Sequence, residues 1–101
     1  MSSSANKYDP IESLIFENGL KILGLHFYHE MDLMLVVLNN QQVLKYPISE
    51  SERLQTATKE QLENYELIGK GYGVHWPDID EDLSLKGFLK RELANTHGIA
   101  V

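Results

Sequence analysis

The sequence predicts a small α+β fold: an antiparallel β-meander of three to four strands packed with short helices in a single domain. Three observations carry this expectation. Residues 20–48 repeat with the two-residue period of strands, the stretches on either side show helical spacing with capping signals, and 101 residues at 43% hydrophobic content suit one core. The expected boundaries are a disordered N-terminal arm at 1–8, the α+β domain at 9–94 and a C-terminal tail at 95–101.

In chain order, Asp9 can cap a helix that has Pro10 at its first position and Glu12 three residues after the cap. Ile11, Leu14 and Ile15 then share a face before Gly19 stops the helix; the rival reading is a hairpin turning at Asn18-Gly19. From Leu20 the pattern becomes strand-like. Leu23, Leu25 and Phe27 alternate with Ile22, Gly24, His26 and Tyr28, and the apolar run Leu33–Leu38 reads as a strand buried on both faces. Val43 to Ile48 closes the meander, with turns at His29 to Asp32 and at Asn39-Asn40-Gln41. Ser49 is expected to cap a short helix reaching about Thr56, and Thr58 with Gln61 forms a capping box for a second reaching about Glu66, with Leu62 and Tyr65 toward the sheet. Gly69, Gly71 and Gly73 mark a tight turn before a short closing strand, Val74 to Trp76, ended by Pro77. Leu85, Phe88, Leu89 and Leu93 fall at helical spacing behind a cap at Ser84 or Asp82.

Composition excludes several classes of function. Nine Lys and Arg against fifteen Asp and Glu give a net charge of -6, which repels nucleic-acid phosphates and anionic lipid, and the densest basic spot is only Lys86, Lys90 and Arg91. With no cysteine, disulfides, thiolate metal sites and cysteine nucleophiles all fall away. The N-terminal MSSSANKYDP has no apolar segment of a secretory signal, and the longest wholly apolar run is far shorter than a membrane helix. A cytoplasmic protein is the expectation.

Each chemical constellation meets a bland competitor. Gly69-Lys70-Gly71-Tyr72-Gly73 fails the dinucleotide and phosphate-loop spacings, so a structural turn is expected. Asp78-x-Asp80-x-Asp82 begins like a calcium loop, but Leu83 and Leu89 fill its glycine and glutamate slots. The acids are read as complementing the N-terminal end of the following helix. His26 and His29, with Glu30 and Asp32 near, share a zinc ion only where the strand ends between them, since positions three apart on a strand face opposite ways. No nucleophile is tied to His75 by a motif, and Trp76 is read chiefly as a core anchor. No catalytic residue, cofactor or metal site is expected.

The run Tyr46-Pro47-Ile48, then Arg53 to Gln61, Leu67-Ile68-Gly69 and Val74-His75-Trp76-Pro77-Asp78-Ile79-Asp80-Glu81-Asp82-Leu83-Ser84 resembles the bacterial domain of unknown function 2442 over about residues 20–90. The resemblance implies a small α+β fold, sometimes placed ahead of a helix-turn-helix domain, and genes often beside another small protein, whence a toxin–antitoxin proposal. It implies no catalytic residue. The sequence departs from the family at Asn39-Asn40-Gln41-Gln42, where a Gly-Arg hairpin is usual, and at Ser51-Glu52-Arg53, where an aromatic-Pro-Arg sequence is usual. With no helix-turn-helix after the matching region, direct reading of nucleic acid is not expected.

Two functional readings follow. One is a non-enzymatic protein-interaction module, the neutralising member of a pair with a small basic protein, with a candidate surface at His75, Trp76, Asp78, Asp80, Glu81 and Asp82. It predicts an exposed apolar patch or open sheet edge with the acids at its rim. The alternative is a small-molecule or metal-binding protein, or an enzyme, with a concave site in the Gly69–Asp82 block. A homodimer through a strand edge or the Leu85–Leu93 helix is compatible with both.

Overall fold

The computed structural model describes residues 8–100, so the expected N-terminal arm falls, apart from Tyr8, outside the described residues. At the start, helix wins over hairpin. Helix α1 (Pro10–Glu12) carries the full capping box, with Glu12 N–H donating to Asp9 Oδ1 at 2.7 Å and Asp9 N–H to Glu12 Oε1 at 3.1 Å. It widens into a π-helical turn, Ser13–Glu17, and ends where Gly19 takes φ +74° and Leu20 N–H reaches back to the Leu14 carbonyl.

The meander follows as strands β1 (Ile22–Tyr28), β2 (Leu33–Leu38) and β3 (Val43–Pro47), antiparallel in the order β1-β2-β3. Its phase differs from simple alternation. A bulge between Ile22 and Gly24 inserts one residue, so Ile22 and Leu25 both face the core while Leu23 is exposed. Leu38 N–H donates to the Gln42 carbonyl and so encloses a three-residue loop, 39–41, in which Gln41 takes φ +73°, and Asn39 ties it to the start of β1 through Lys21 and Gly19.

A second sheet completes the fold. Past a short 3-10 turn, helices α2 (Glu52–Gln55) and α3 (Lys59–Glu63) precede strands β4 (Glu66–Ile68), β5 (Gly73–Trp76) and β6 (Glu81–Ser84), antiparallel in the order β4-β5-β6. The expected closing strand is β5, and it pairs with two strands that the sequence reading left as connections. Thr58 and Gln61 form the expected capping box. The cap of α2, by contrast, is Ser51; Ser49 instead donates from N–H and hydroxyl to the Asp32 carboxylate, because a 3-10 turn occupies Ile48–Glu50. Helix α4 (Leu85–Ala100) begins with Ser84 Oγ accepting from Gly87 N–H and runs through most of the stretch read as a tail.

One core joins these parts: Ile22, Leu25, Met34, Val36, Leu38 and Leu44 from the first sheet, Val74 and Trp76 from the second, and Leu54, Leu62, Leu85, Phe88 and Leu89 from the helices. The sheets are latched at the glycine turn, where Ile22 N–H donates to the Gly71 carbonyl at 2.8 Å. A Cβ at Gly71, whose φ is +125°, would stand 2.6 Å from the Ile22 carbonyl oxygen, so only glycine fits. The amides of Gly71 and Tyr72 are spent on the Ile68 carbonyl, which leaves the turn a structural device.

Candidate functional site

The acidic run lies on the β5–β6 hairpin, and each carboxylate has a different neighbour. Cross-strand pairing sets Glu66, His75 and Asp82 in one row on the outward face of the second sheet. Asp82 Oδ1 lies 2.5 Å from His75 Nδ1. That bond, reinforced by the charges of Asp82, Glu66 and Asp80 and opposed by partial desolvation, raises the His75 pKa above its ordinary value, so the imidazole holds its proton further toward neutrality.

The remaining acids bind the hairpin to the helices. Ser51 Oγ accepts from Leu54 N–H as the α2 cap and donates to Glu81 Oε2 at 2.6 Å. Arg53 donates to the Asp80 carbonyl and stands 3.8 Å from its carboxylate; Asp80 itself has φ +52°. Asn64, which ends α3, donates to Asp78 Oδ2 at 3.0 Å. The acids therefore do not serve the N-terminus of α4, whose first turn contains none of them: Glu81 and Asp82 are drawn into β6 by the Trp76 and His75 pairings.

Of the six residues read as a candidate surface, five reach solvent. Trp76 is 0% exposed, with its indole N–H on the Leu62 carbonyl, and belongs to the core. His75 is half-buried, and Asp78, Asp80 and Asp82 are exposed, with Glu81 between. Their engagement with Asn64, Arg53, Ser51 and His75 makes the run chiefly a strap for α2 and α3. Asp32 is engaged by Ser49, and among the described residues no three His, Asp or Glu lie close enough to hold a metal ion.

A surface the sequence reading missed lies on the first sheet. The run Leu33–Leu38 is buried only at Met34, Val36 and Leu38; Leu33, Leu35 and Val37 turn to the opposite face and stay half-buried. They are flanked there by Gly24, His26 and Tyr28 of β1 and by Val43, Lys45 and Pro47 of β3, and Arg91 and Glu92 of α4 stand beside Leu33, Lys45 and Pro47 at one end. Tyr28 is 48% and Val43 49% exposed. The signal was present in the sequence: six consecutive apolar residues exceed what a one-faced strand requires. The acids expected at the rim of such a patch are on the other sheet.

Strand edges beside this face are blunted in part. Ile22 N–H is taken by Gly71, Leu25 N–H by the Tyr65 hydroxyl at 3.0 Å, and β3 ends in Lys45, Tyr46 and Pro47. No helix among the described residues is long and apolar enough to cross a membrane.

Comparison with known proteins places this geometry. The crystal structure of a protein of unknown function from Rhodospirillum rubrum is similar at 30% identity and TM-score 0.62, covering 72% of this chain and 88% of that one. The solution structure of an uncharacterized protein from Chromobacterium violaceum is similar at 27% identity and TM-score 0.64, covering 88% and 77% respectively. No curated protein matches. The family model described as Protein of unknown function (DUF2442) matches residues 22–94, from the bulged start of β1 into α4 and through both sheets, and the chain thus belongs to the DUF2442 family.

Proposed function

We propose that this protein is a non-enzymatic protein-interaction module acting in the cytoplasm, and that it binds through the outer face of its first sheet. One observation carries the reading: the central strand presents Leu33, Leu35 and Val37 on the face away from the core, with Tyr28 and Val43 exposed beside them. An apolar sheet face is costly in water, roughly 25 cal/mol for each Å² left uncovered, and contiguous patches of this kind mark contact surfaces. In its finer form the partner is a small basic protein that the chain neutralises. The net charge of -6 supports long-range attraction of such a partner, while the sheet face supplies the contact.

The test is tagging at native expression, with a photo-crosslinking residue at position 35 or, as control, at the exposed Glu17. A single adduct from position 35 alone, abolished by Leu33→Asp in a folded variant, is the expected result. Equal labelling from both positions, or none from position 35, would remove the sheet face from the reading. An adduct of twice the chain mass would identify the partner as a second copy.

A further inference from the structure

Antiparallel ladders alternate between residues that bond across the pair and residues that turn their N–H and C=O outward. In β1, Leu25 and Phe27 turn outward, as the Leu25 N–H on the Tyr65 hydroxyl shows. Phe27, two residues on, has no hydrogen-bond partner for its N–H among the described residues. This unpaired position lies in a continuous groove. A depression of about 260 Å³ lined by Leu25, His26, Phe27, Tyr28, Glu63 and Tyr65 meets one of about 450 Å³ lined by Phe27, Tyr28, His29, Glu30, Met31, Ala57 and Lys59. The two share Phe27 and Tyr28.

We propose that the outer edge of β1 at Phe27 accepts a short extended peptide of another protein as an added antiparallel strand, clamped by the Phe27 N–H and C=O. The proposal rests on the interaction-module reading and names a mode of binding for it. His26 and Tyr28 belong both to this groove and to the open sheet face, so an added strand widens that face.

Register defines the chemistry of the occupant. Side chains directly opposite in an antiparallel pair share a face, so the residue facing Phe27 projects where Phe27 does, toward Ala57 and the Tyr65 ring, and is apolar. On the α3 wall Lys59 stands at the His29 end and Glu63 at the Leu25 end, while Glu30 lines the His29 end from the strand side. A peptide antiparallel to β1 enters at the Lys59 end. Complementarity to the α3 wall therefore calls for an acidic residue before the apolar one, facing Lys59, and a basic residue after it, facing Glu63. The Tyr65 hydroxyl on Leu25 stops the ladder and keeps the added strand short.

The experiment is a ¹⁵N-detected NMR titration of the full chain with the capped pentapeptide Glu-Thr-Leu-Thr-Lys. Controls are its reversed-charge form Lys-Thr-Leu-Thr-Glu and a form N-methylated at leucine. The first peptide is expected to shift the Phe27 amide most, with Ala57, Lys59 and Glu63 following, and to slow Phe27 amide exchange. The reversed peptide should bind about three- to fivefold more weakly, as two exposed ion pairs allow, and N-methylation should abolish the Phe27 response. The double variant Lys59→Glu, Glu63→Lys, which also suits the α3 dipole, should invert the preference. No response at Phe27 at millimolar peptide overturns the proposal. Shifts confined to Leu33, Leu35 and Val37 overturn strand addition while leaving the sheet-face module standing, and loss of crosslinking at position 35 with peptide binding intact separates the two in the other direction.

Discussion

The indole N–H of Trp76 donates to the backbone carbonyl of Leu62 across 3.0 Å, and both residues are 0% exposed. The bond fixes α3 against β5 and satisfies a carbonyl at a helix end that water does not reach. Trp76→Ala should lower unfolding free energy by about 3–5 kcal/mol, from the cavity and the orphaned carbonyl together. Trp76→Phe keeps most of the packing and loses the bond, at about 1–3 kcal/mol. Urea unfolding distinguishes them; a Phe variant as stable as the parent would mean that the bond contributes nothing.

Gly71 and Gly19 both have positive φ, but only Gly71 also lacks room. Gly19→Ala should cost about 1–2 kcal/mol, the strain of the left-handed region alone. Gly71→Ala adds a collision with the Ile22 carbonyl and with Lys21 Cβ, and is expected to cost clearly more. Equal urea midpoints for the two variants would contradict the close approach.

Gln41 occupies the left-handed position that glycine favours in a three-residue hairpin loop. Gln41→Gly should stabilise the fold by about 0.5–1 kcal/mol, since relief of strain exceeds the added freedom of the unfolded chain. Thermal unfolding checks the sign. A lower melting temperature would show that the side chain contributes more than the strain costs.

His75 supplies a pH dependence of known sign. Its pKa is raised in the folded protein, so folding favours the protonated form. The stabilisation is fully present below the ordinary value of 6.5 and is lost as pH rises through the raised one. An NMR titration should place the His75 midpoint above those of typical exposed histidines, and Asp82→Asn should bring it down. The difference in melting temperature between parent and Asp82→Asn should shrink toward alkaline pH; a difference independent of pH would assign the effect to something other than the imidazolium.

Local signals in the sequence proved readable because their physics is local. The Asp9/Glu12 and Thr58/Gln61 boxes, the glycine stop at residue 19 and the hairpin at Asn39-Asn40-Gln41 each involve atoms only a few residues apart. The second sheet was hidden for the opposite reason. Glu66–Ile68 and Glu81–Ser84 are too short for periodicity, and β6 is acidic, so only pairing with β5 makes them strands. The bulge in β1 is one residue wide and leaves no mark in composition, yet it sends Leu23 rather than Ile22 to solvent. At the candidate surface the sequence singled out the acidic run but neither its hairpin nor its use, since Ser51 and Asn64 were not visibly paired with Glu81 and Asp78 until the chain closed.

The latch between Ile22 and Gly71 joins residues far apart in sequence, and contact order predicts that it forms late in folding. Each sheet closes on its own hairpins, β1 to β3 within one continuous stretch and β4 to β6 within another, so their contacts carry little loop-closure entropy. Joining them spans the intervening helices. Early sheet formation and late docking predict a low φ-value at the latch, so that a substitution there should accelerate unfolding and leave the folding rate nearly untouched. On that expectation Gly71 bears on the lifetime of the native state more than on the speed of reaching it.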